Sequence, residues 1–467
     1  MRDDALTLLT LTEQTSLLQT GEVSAVELTQ AYLNRIERLN PKWLAYARID
    51  AEQAHEEALA VDARRQRGEA LGPLAGVPLA VKDLCWVAGR ETAAGTRVYR
   101  GFMPPVDATV VARLRAAGAV LLGSVQMTEA AFSAHHPEVT PPRNPWHPEA
   151  WTGVSSSGSG VAVAASLCAG ALGSDTGGSI RFPAAACGIT GLKPTWGRVS
   201  RYGVFELAGS LDHIGPMARS AADCATLLAV IAGADPQDPT TLPESAPVPS
   251  SGEPARLDGL RVGLDEAWAC ADVDSEVATA VRSAARVLTE LGAQVVPVQV
   301  PPTDPGVEAW VNLCAVEAAA AHAETFPAQR QAYGPMLASL LDQGHSLSAL
   351  ALQRALAVRQ IVVGRMAHLM QTVDLLLMPA MPLAGPSLSA IAALRSQAGH
   401  RLRLSRYTVV FDLTGQPALS LPGGFTAAGL PVGIQLAGRM REDALLLRAG
   451  RAFQTATDWH RRHPPGL

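Results

Sequence analysis

The 467-residue sequence predicts an α/β fold on a largely parallel, buried sheet. Two stretches carry that prediction. A helix capped by Asp107 and running to Ala117 is closed by Gly118 and followed by an apolar strand over 119–122. Further on, a strand over 261–264 precedes a helix with Val277, Val281, Leu288 and Leu291 on one face. Gly292 closes that helix, and a strand over 295–300 follows. Strands alternating with helices imply right-handed crossovers and a sheet covered by helices. Size is the third observation, since a chain this long buries about three-quarters of its unfolded surface.

The remaining elements follow in order. Ser24 and Glu27 form a capping box ahead of the stripe Leu28, Tyr32, Ile36 and Leu39, and Asn40-Pro41 is expected to end that helix. A second helix over 51–67 finishes with Arg64, Arg65 and Arg67 beside its carbonyl end, where the helix dipole favours cations, and stops at Gly68. The run from Gly76 to Asp83 reads as a buried strand. Pro236, Pro239, Pro243, Pro247, Pro249 and Pro254 mark a surface crossover loop. Residues 306–370 are helical and apolar, and no internal repeat is present.

Composition narrows the function. Charged residues are 17% and apolar residues 48%, which excludes disorder and coiled coil. A net charge of −5 argues against a nucleic-acid partner. The longest apolar run, 161–172, is interrupted by Ser166 and is too short to span a bilayer, and Met1-Arg2-Asp3-Asp4 is not expected to begin a secretory signal. Six scattered cysteines without a C-x-x-C pair read as reduced core thiols. The expectation is a soluble cytoplasmic protein acting on a small molecule, without metal, cofactor or membrane partner.

Of 38 basic residues only Lys42, Lys82 and Lys193 are lysines. A lysine amine can lose its proton on burial, whereas arginine stays charged. Lys42 falls in a polar turn and Lys193 in a Gly-Leu-Lys-Pro turn, while Lys82 ends the buried run, so Lys82 is the lysine placed for chemistry.

The strongest local feature is Gly153-Val154-Ser155-Ser156-Ser157-Gly158-Ser159-Gly160, followed by Gly173-Ser174-Asp175-Thr176-Gly177-Gly178-Ser179-Ile180-Arg181. Neither a P-loop nor a complete dinucleotide loop is present. No nucleophile elbow or histidine triad motif occurs, and His135-His136-Pro137 reads as a loop feature. The Asp175–Ser179 glycines let consecutive N–H groups converge beside Ser179 Oγ, as an oxyanion hole requires. A Gly-rich turn with a satisfied hydroxyl is the alternative for that segment alone, and Lys82 with the serine cluster weighs against it.

With these residues in place the chain resembles the amidase signature family of serine hydrolases. The likeness runs from Gly76–Asp83 through Arg143-Asn144-Pro145-Trp146 and the serine loop, then through Gly191-Leu192-Lys193-Pro194-Thr195 and Ser210–Pro216. It resumes in Gly429–Gln435. The resemblance implies one α/β domain over 1–467 around a large, twisted, mixed but mostly parallel sheet with helices on both faces. Its parts are N-terminal helices (1–70), a catalytic core (71–235), the Pro-rich loop (236–258), a βα and variable helical pocket region (259–400) and a C-terminal core (401–467). It further implies a Ser–cis-Ser–Lys triad with Ser179 as nucleophile, Ser155 as bridge after a cis peptide and Lys82 as base. The resemblance also implies an acyl-enzyme on Ser179, with backbone N–H groups of Thr176, Gly177, Gly178 and Ser179 holding the oxyanion. Ser156, Asp175 and Arg181 are supports; for Arg181 and Asp83 a purely structural role stands equally open. Two positions depart from the family pattern: Val154 replaces a glycine, and Asp412 stands where many relatives have asparagine.

The expected activity is that of a stand-alone amidase cleaving C–N bonds of aryl or apolar amides, with carbamates as a further class. One alternative is the glutamine-hydrolysing A-type subunit of a tRNA-dependent amidotransferase, which Val199–Gly203 and Ala456–Arg462 resemble. Against it, the stretch from Met127 to Arg143 is shorter and carries the His-His-Pro. A silent binding scaffold is the third reading, and the intact triad positions speak against it. Methionines concentrated over 336–381 suggest an apolar cleft involving Met127, Met336, Leu337, Met378 and Met381; filling gaps between core helices is the other explanation.

Overall fold

The computed structural model describes residues 2–244 and 256–466. Its centre is a sheet of eleven strands: β1 (Tyr46–Ile49), β2 (Pro78–Lys82), β3 (Val120–Val125), β4 (Gly170–Asp175), β5 (Thr190–Lys193), β6 (His213–Ala218), β7 (Arg261–Leu264), β8 (Gln294–Pro297), β9 (Leu375–Pro379), β10 (Ala418–Phe425) and β11 (Pro431–Gly438). The spatial order is β1-β3-β2-β4-β6-β5-β10-β11-β9-β7-β8. Every residue of β2, β3, β4, β5, β6, β9 and β11 is buried, so both faces of the sheet are covered along most of its width.

The sheet is mixed, and the expectation of mostly parallel pairing is corrected. Parallel pairs occupy only the flanks, β3-β2-β4 and β9-β7-β8. The strands between them, from β4 through β6, β5, β10 and β11 to β9, pair antiparallel, as does β1 with β3. The helix-alternating segments that suggest parallel strands are those flanks. The middle contains a hairpin, β10 to β11, and strands contributed from distant parts of the chain.

Local signals hold with instructive exceptions. Ser24 and Glu27 make the reciprocal cap, and the helix spans Ala25–Trp43. It therefore continues past Pro41 and carries Lys42 in its last turn; Leu44 at φ 55° closes it by donating to Asn40 O at 2.7 Å. Loss of one amide donor near a helix end is offset by burial of Trp43, which is 3% exposed. Asp107 does not cap the next helix, which spans Thr109–Ala116. Its carboxylate instead accepts from Ala88 N–H (2.7 Å) and pairs with Arg115 (2.6 Å). The strands expected over 119–122 and 295–300 are Val120–Val125 and Gln294–Pro297. Of the Pro-rich stretch, Pro236, Pro239 and Pro243 lie in turns pinned by Asp235 and Asp238; Pro247, Pro249 and Pro254 lie outside the described residues. No single helix among the described residues is long and apolar enough to cross a membrane.

Strands β2 and β4 are parallel neighbours, registered through Leu79–Gly170 and Ala80–Ala171. Their carboxyl ends therefore open at the same edge, bringing Lys82 beside Ser174 and Asp175. Helix Ser157–Ala164 starts from the serine loop above them, and helix Arg181–Cys187 starts just after Ser179.

Candidate active site

Lys82 is fully buried and touches three hydroxyls: Ser155 Oγ at 2.7 Å, Ser174 Oγ at 2.8 Å and Ser156 Oγ at 2.9 Å. No carboxylate among the described residues contacts it, and burial pulls its pKa down to about 7. A neutral amine has two protons and one lone pair, so two contacts are donated and one is accepted. Ser156 sends its own proton to Ser174 O (3.2 Å) and must accept from Lys82. In the neutral amine, one of Ser155 and Ser174 therefore donates its hydroxyl proton to the nitrogen. The Val154–Ser155 peptide is cis. Ser156 N–H donates to Ser179 O at 3.2 Å, tying the serine loop to the Asp175–Ser179 turn.

Asp175 organises that turn. Its carboxylate accepts from Gly178 N–H (2.6 Å) and Ile180 N–H (3.0 Å) and is gripped by Arg181 through Nε and Nη2, both at 2.9 Å. Gly178 N–H is thus committed to Asp175, and of the four amides expected to form an oxyanion hole, those of Thr176, Gly177 and Ser179 remain. The glycines are required sterically. A Cβ on Gly177 would lie 2.5 Å from the Trp310 ring, and one on Gly178, at φ +127°, 2.5 Å from Phe182. Trp310 Nε1 donates to Thr176 O (2.7 Å) and Thr408 Oγ1 to Gly177 O (2.7 Å), so both carbonyls are drawn to fixed partners.

Behind the turn lies a buried charge network. Arg181 spans Asp175 and Asp412, the latter at 2.7 Å, and also donates to Thr408 O and Gln435 Oε1. Burial acts against Asp175's charge, but Arg181 outweighs it and holds the carboxyl well below the usual range. Burial pushes Asp412 the other way. Asp412 thus serves as a second anchor for Arg181, and Asp83 as a backbone anchor that accepts from Gly95 N–H at 3.4 Å. Replacing Arg181 with Met strands two buried carboxyl groups and is expected to cost about 3–5 kcal/mol of folding stability, read by urea unfolding.

Lys193 is not the turn residue that its sequence context suggests. It is fully buried at the end of β5, its pKa also lowered by burial to about 7. Its amine meets His213 Nε2 at 3.0 Å and Pro194 O, not the serines. His213 is neutral through burial, and Nδ1–H donates to Leu211 O (2.7 Å), so Nε2 accepts from Lys193. Like Lys82, Lys193 ends a strand, and that shared position is the available signal. Trp310 and Thr408 carry no such signal, because their roles arise from contacts distant in sequence. His135 does more than shape a loop: Nε2 lies 3.1 Å from Ser157 Oγ.

A cleft opens at Ser179, walled by Phe132, Phe182, Leu207, Trp310 and Leu404. Of the five expected pocket residues only Met336 lines it. Met127, Leu337, Met378 and Met381 are buried in the core instead, with Met381 packed in the Trp151–Phe182 cluster behind the wall. Met378 lies within β9, whose residues are all buried, so its side chain is taken up by packing between layers.

A buried lysine amine among serine hydroxyls, beside a glycine turn at the carboxyl edge of a mixed sheet, defines an amidase-type site. The amidase family profile matches residues 27–447, and the chain belongs to that family of enzymes acting on C–N bonds. It is 46% identical over 465 residues to the AmiD protein of Mycobacterium tuberculosis, covering 99% of this chain and 97% of the relative. The A-type subunit of the glutamyl-tRNA(Gln) amidotransferase from Chloroflexus aurantiacus is 40% identical over 482 residues, covering 98% of each chain. A solved structure from work on the origins of an s-triazine catabolic enzyme superposes with a TM-score of 0.89 at 32% identity, covering 96% of this chain and 98% of that one.

Proposed function

We propose that the protein is a stand-alone serine amidohydrolase using Ser179, Ser155 and Lys82. Neutral Lys82 takes the proton of Ser155 as Ser155 takes that of Ser179, and Ser179 Oγ attacks the amide carbonyl. The tetrahedral oxyanion is met by the N–H groups of Thr176, Gly177 and Ser179, on a turn that Asp175, Trp310 and Thr408 hold in shape. The proton returns through Ser155 to the leaving amine, and water then hydrolyses the Ser179 ester. The carrying observation is Lys82: a fully buried amine, without a carboxylate partner among the described residues, 2.7 Å from Ser155.

The stand-alone reading is favoured over glutamine hydrolysis by the lining of the cleft. Among the described residues it contains no aspartate or glutamate to receive the α-ammonium of glutamine. The purified chain alone is expected to hydrolyse an acyl 4-nitroanilide with kcat/KM well above that for glutamine. A clear preference for glutamine would overturn the reading in favour of the amidotransferase alternative. Because the base must be neutral, kcat/KM should rise about tenfold per pH unit below pH 7 and level off above it, following Lys82. A profile flat from pH 5 to 9 would exclude Lys82 as the base.

A further inference from the structure

We infer that the amide cleaved here carries a carboxylate, bound by Arg395 and Arg401 in the cleft that contains Ser179. The inference rests on the amidase reading above and specifies its substrate.

Both arginines line the cleft and both are half-buried. Neither has a carboxylate partner among the described residues. Arg395 Nη2 donates to Ser133 O at 2.9 Å, which leaves Nε and Nη1 of its fork unused. The Arg401 guanidinium makes no hydrogen bond to a described residue. Arg403 and Arg406, on the same stretch of chain, are placed differently: each faces Asp272, at 3.9 and 3.7 Å. Of these four arginines, the two without a counter-ion are thus the two that face the site.

Leaving a guanidinium partly desolvated and unpaired is costly, and burial indeed lowers the proton affinity of Arg395 with no acid acting against it. The apolar walls, Phe182, Trp310 and Leu404 among them, reduce local screening and strengthen the field of both cations. A planar carboxylate matches the guanidinium fork and would supply the missing counter-charge. With no acid among the described residues of the cleft, a substrate bearing a free ammonium beside that carboxylate finds no partner. The class defined is therefore an anionic amide without a free amine.

The carboxylate can sit on the acyl or the amine side of the scissile bond, and two comparisons separate these. On the acyl side, succinyl, glutaryl and adipyl 4-nitroanilides are set against neutral acyl 4-nitroanilides of matched length. On the amine side, N-acyl-4-aminobenzoates are set against the corresponding N-acylanilines. The anionic member is expected to have kcat/KM at least about tenfold higher in one comparison, a preference that weakens with added salt. In Arg395→Gln and Arg401→Gln the preference should collapse to within about twofold, while Arg395→Lys keeps part of it. Both substrates are read on one enzyme preparation, so the ratio is independent of the folded fraction. Equal or faster hydrolysis of the neutral member in both comparisons, or a preference that survives in both glutamine variants, overturns the inference while leaving the amidase reading intact. No turnover of any of these amides overturns both.

Discussion

Ser179→Ala should lower kcat on an anilide by about 10⁴-fold or more, equivalent to at least ~5.5 kcal/mol of transition-state stabilisation. Only the hydroxyl is removed, and its neighbours are held independently of it. Asp175 fixes Gly178 N–H and Ile180 N–H on either side, and Ser156 N–H bonds the Ser179 carbonyl, not the side chain. Unfolding temperature should therefore stay within a few degrees of the parent. In the parent enzyme a slow carbamate or activated ester should leave a mass increment on the peptide containing Ser179. Activity surviving the substitution at more than a few per cent, or an increment on a different serine, would overturn the nucleophile assignment.

Lys82→Arg should be as inactive as Lys82→Ala, each reduced about 10³-fold or more in kcat, because members of a proton relay fail as a unit. Arginine keeps a cation in place but does not deprotonate in a protein, so it cannot accept the serine proton. A purely electrostatic role for Lys82 predicts the opposite, with the arginine variant retaining substantial activity. The alanine variant opens a cavity among Ser155, Ser156 and Ser174, and a small primary amine supplied in the buffer should restore part of its turnover. Restoration that grows with the free-base fraction of the added amine identifies the missing function as a base.

Much of this site is legible one residue at a time. Lys82 stands out because two other lysines are there for comparison, and because it ends an apolar run in a chain that otherwise uses arginine. The glycines at 177 and 178 announce a turn that no side chain could enter, and the structure places Trp310 and Phe182 where the Cβ atoms would be. Lys193 is illegible in this way because a Gly-Leu-Lys-Pro string looks like a turn; pairing with β10 and β6 makes it the end of a buried strand. The methionines mislead for a similar reason. A concentration of flexible apolar side chains states that something is to be packed against, but not whether that is a ligand or another layer of the core.

The sequence by itself determined the α/β character and the family, and it singled out the proposed reacting groups and their turn, since each rests on local chemistry: a capping box, an apolar run, adjacent glycines, an isolated lysine. Tertiary structure alone decided three further matters. Antiparallel strands occupy the centre of the sheet because hydrogen-bond partners are chosen across tens to hundreds of residues, and periodicity does not encode the choice. Gly178 N–H is withdrawn from the proposed oxyanion hole because the Asp175 carboxylate, itself oriented by Arg181 and through it by Asp412, holds that amide. And Arg395 and Arg401 differ from Arg403 and Arg406 only in what lies opposite them, the cleft for one pair and Asp272 for the other. A charge takes its meaning from its counter-charge, and that partner is set by the fold.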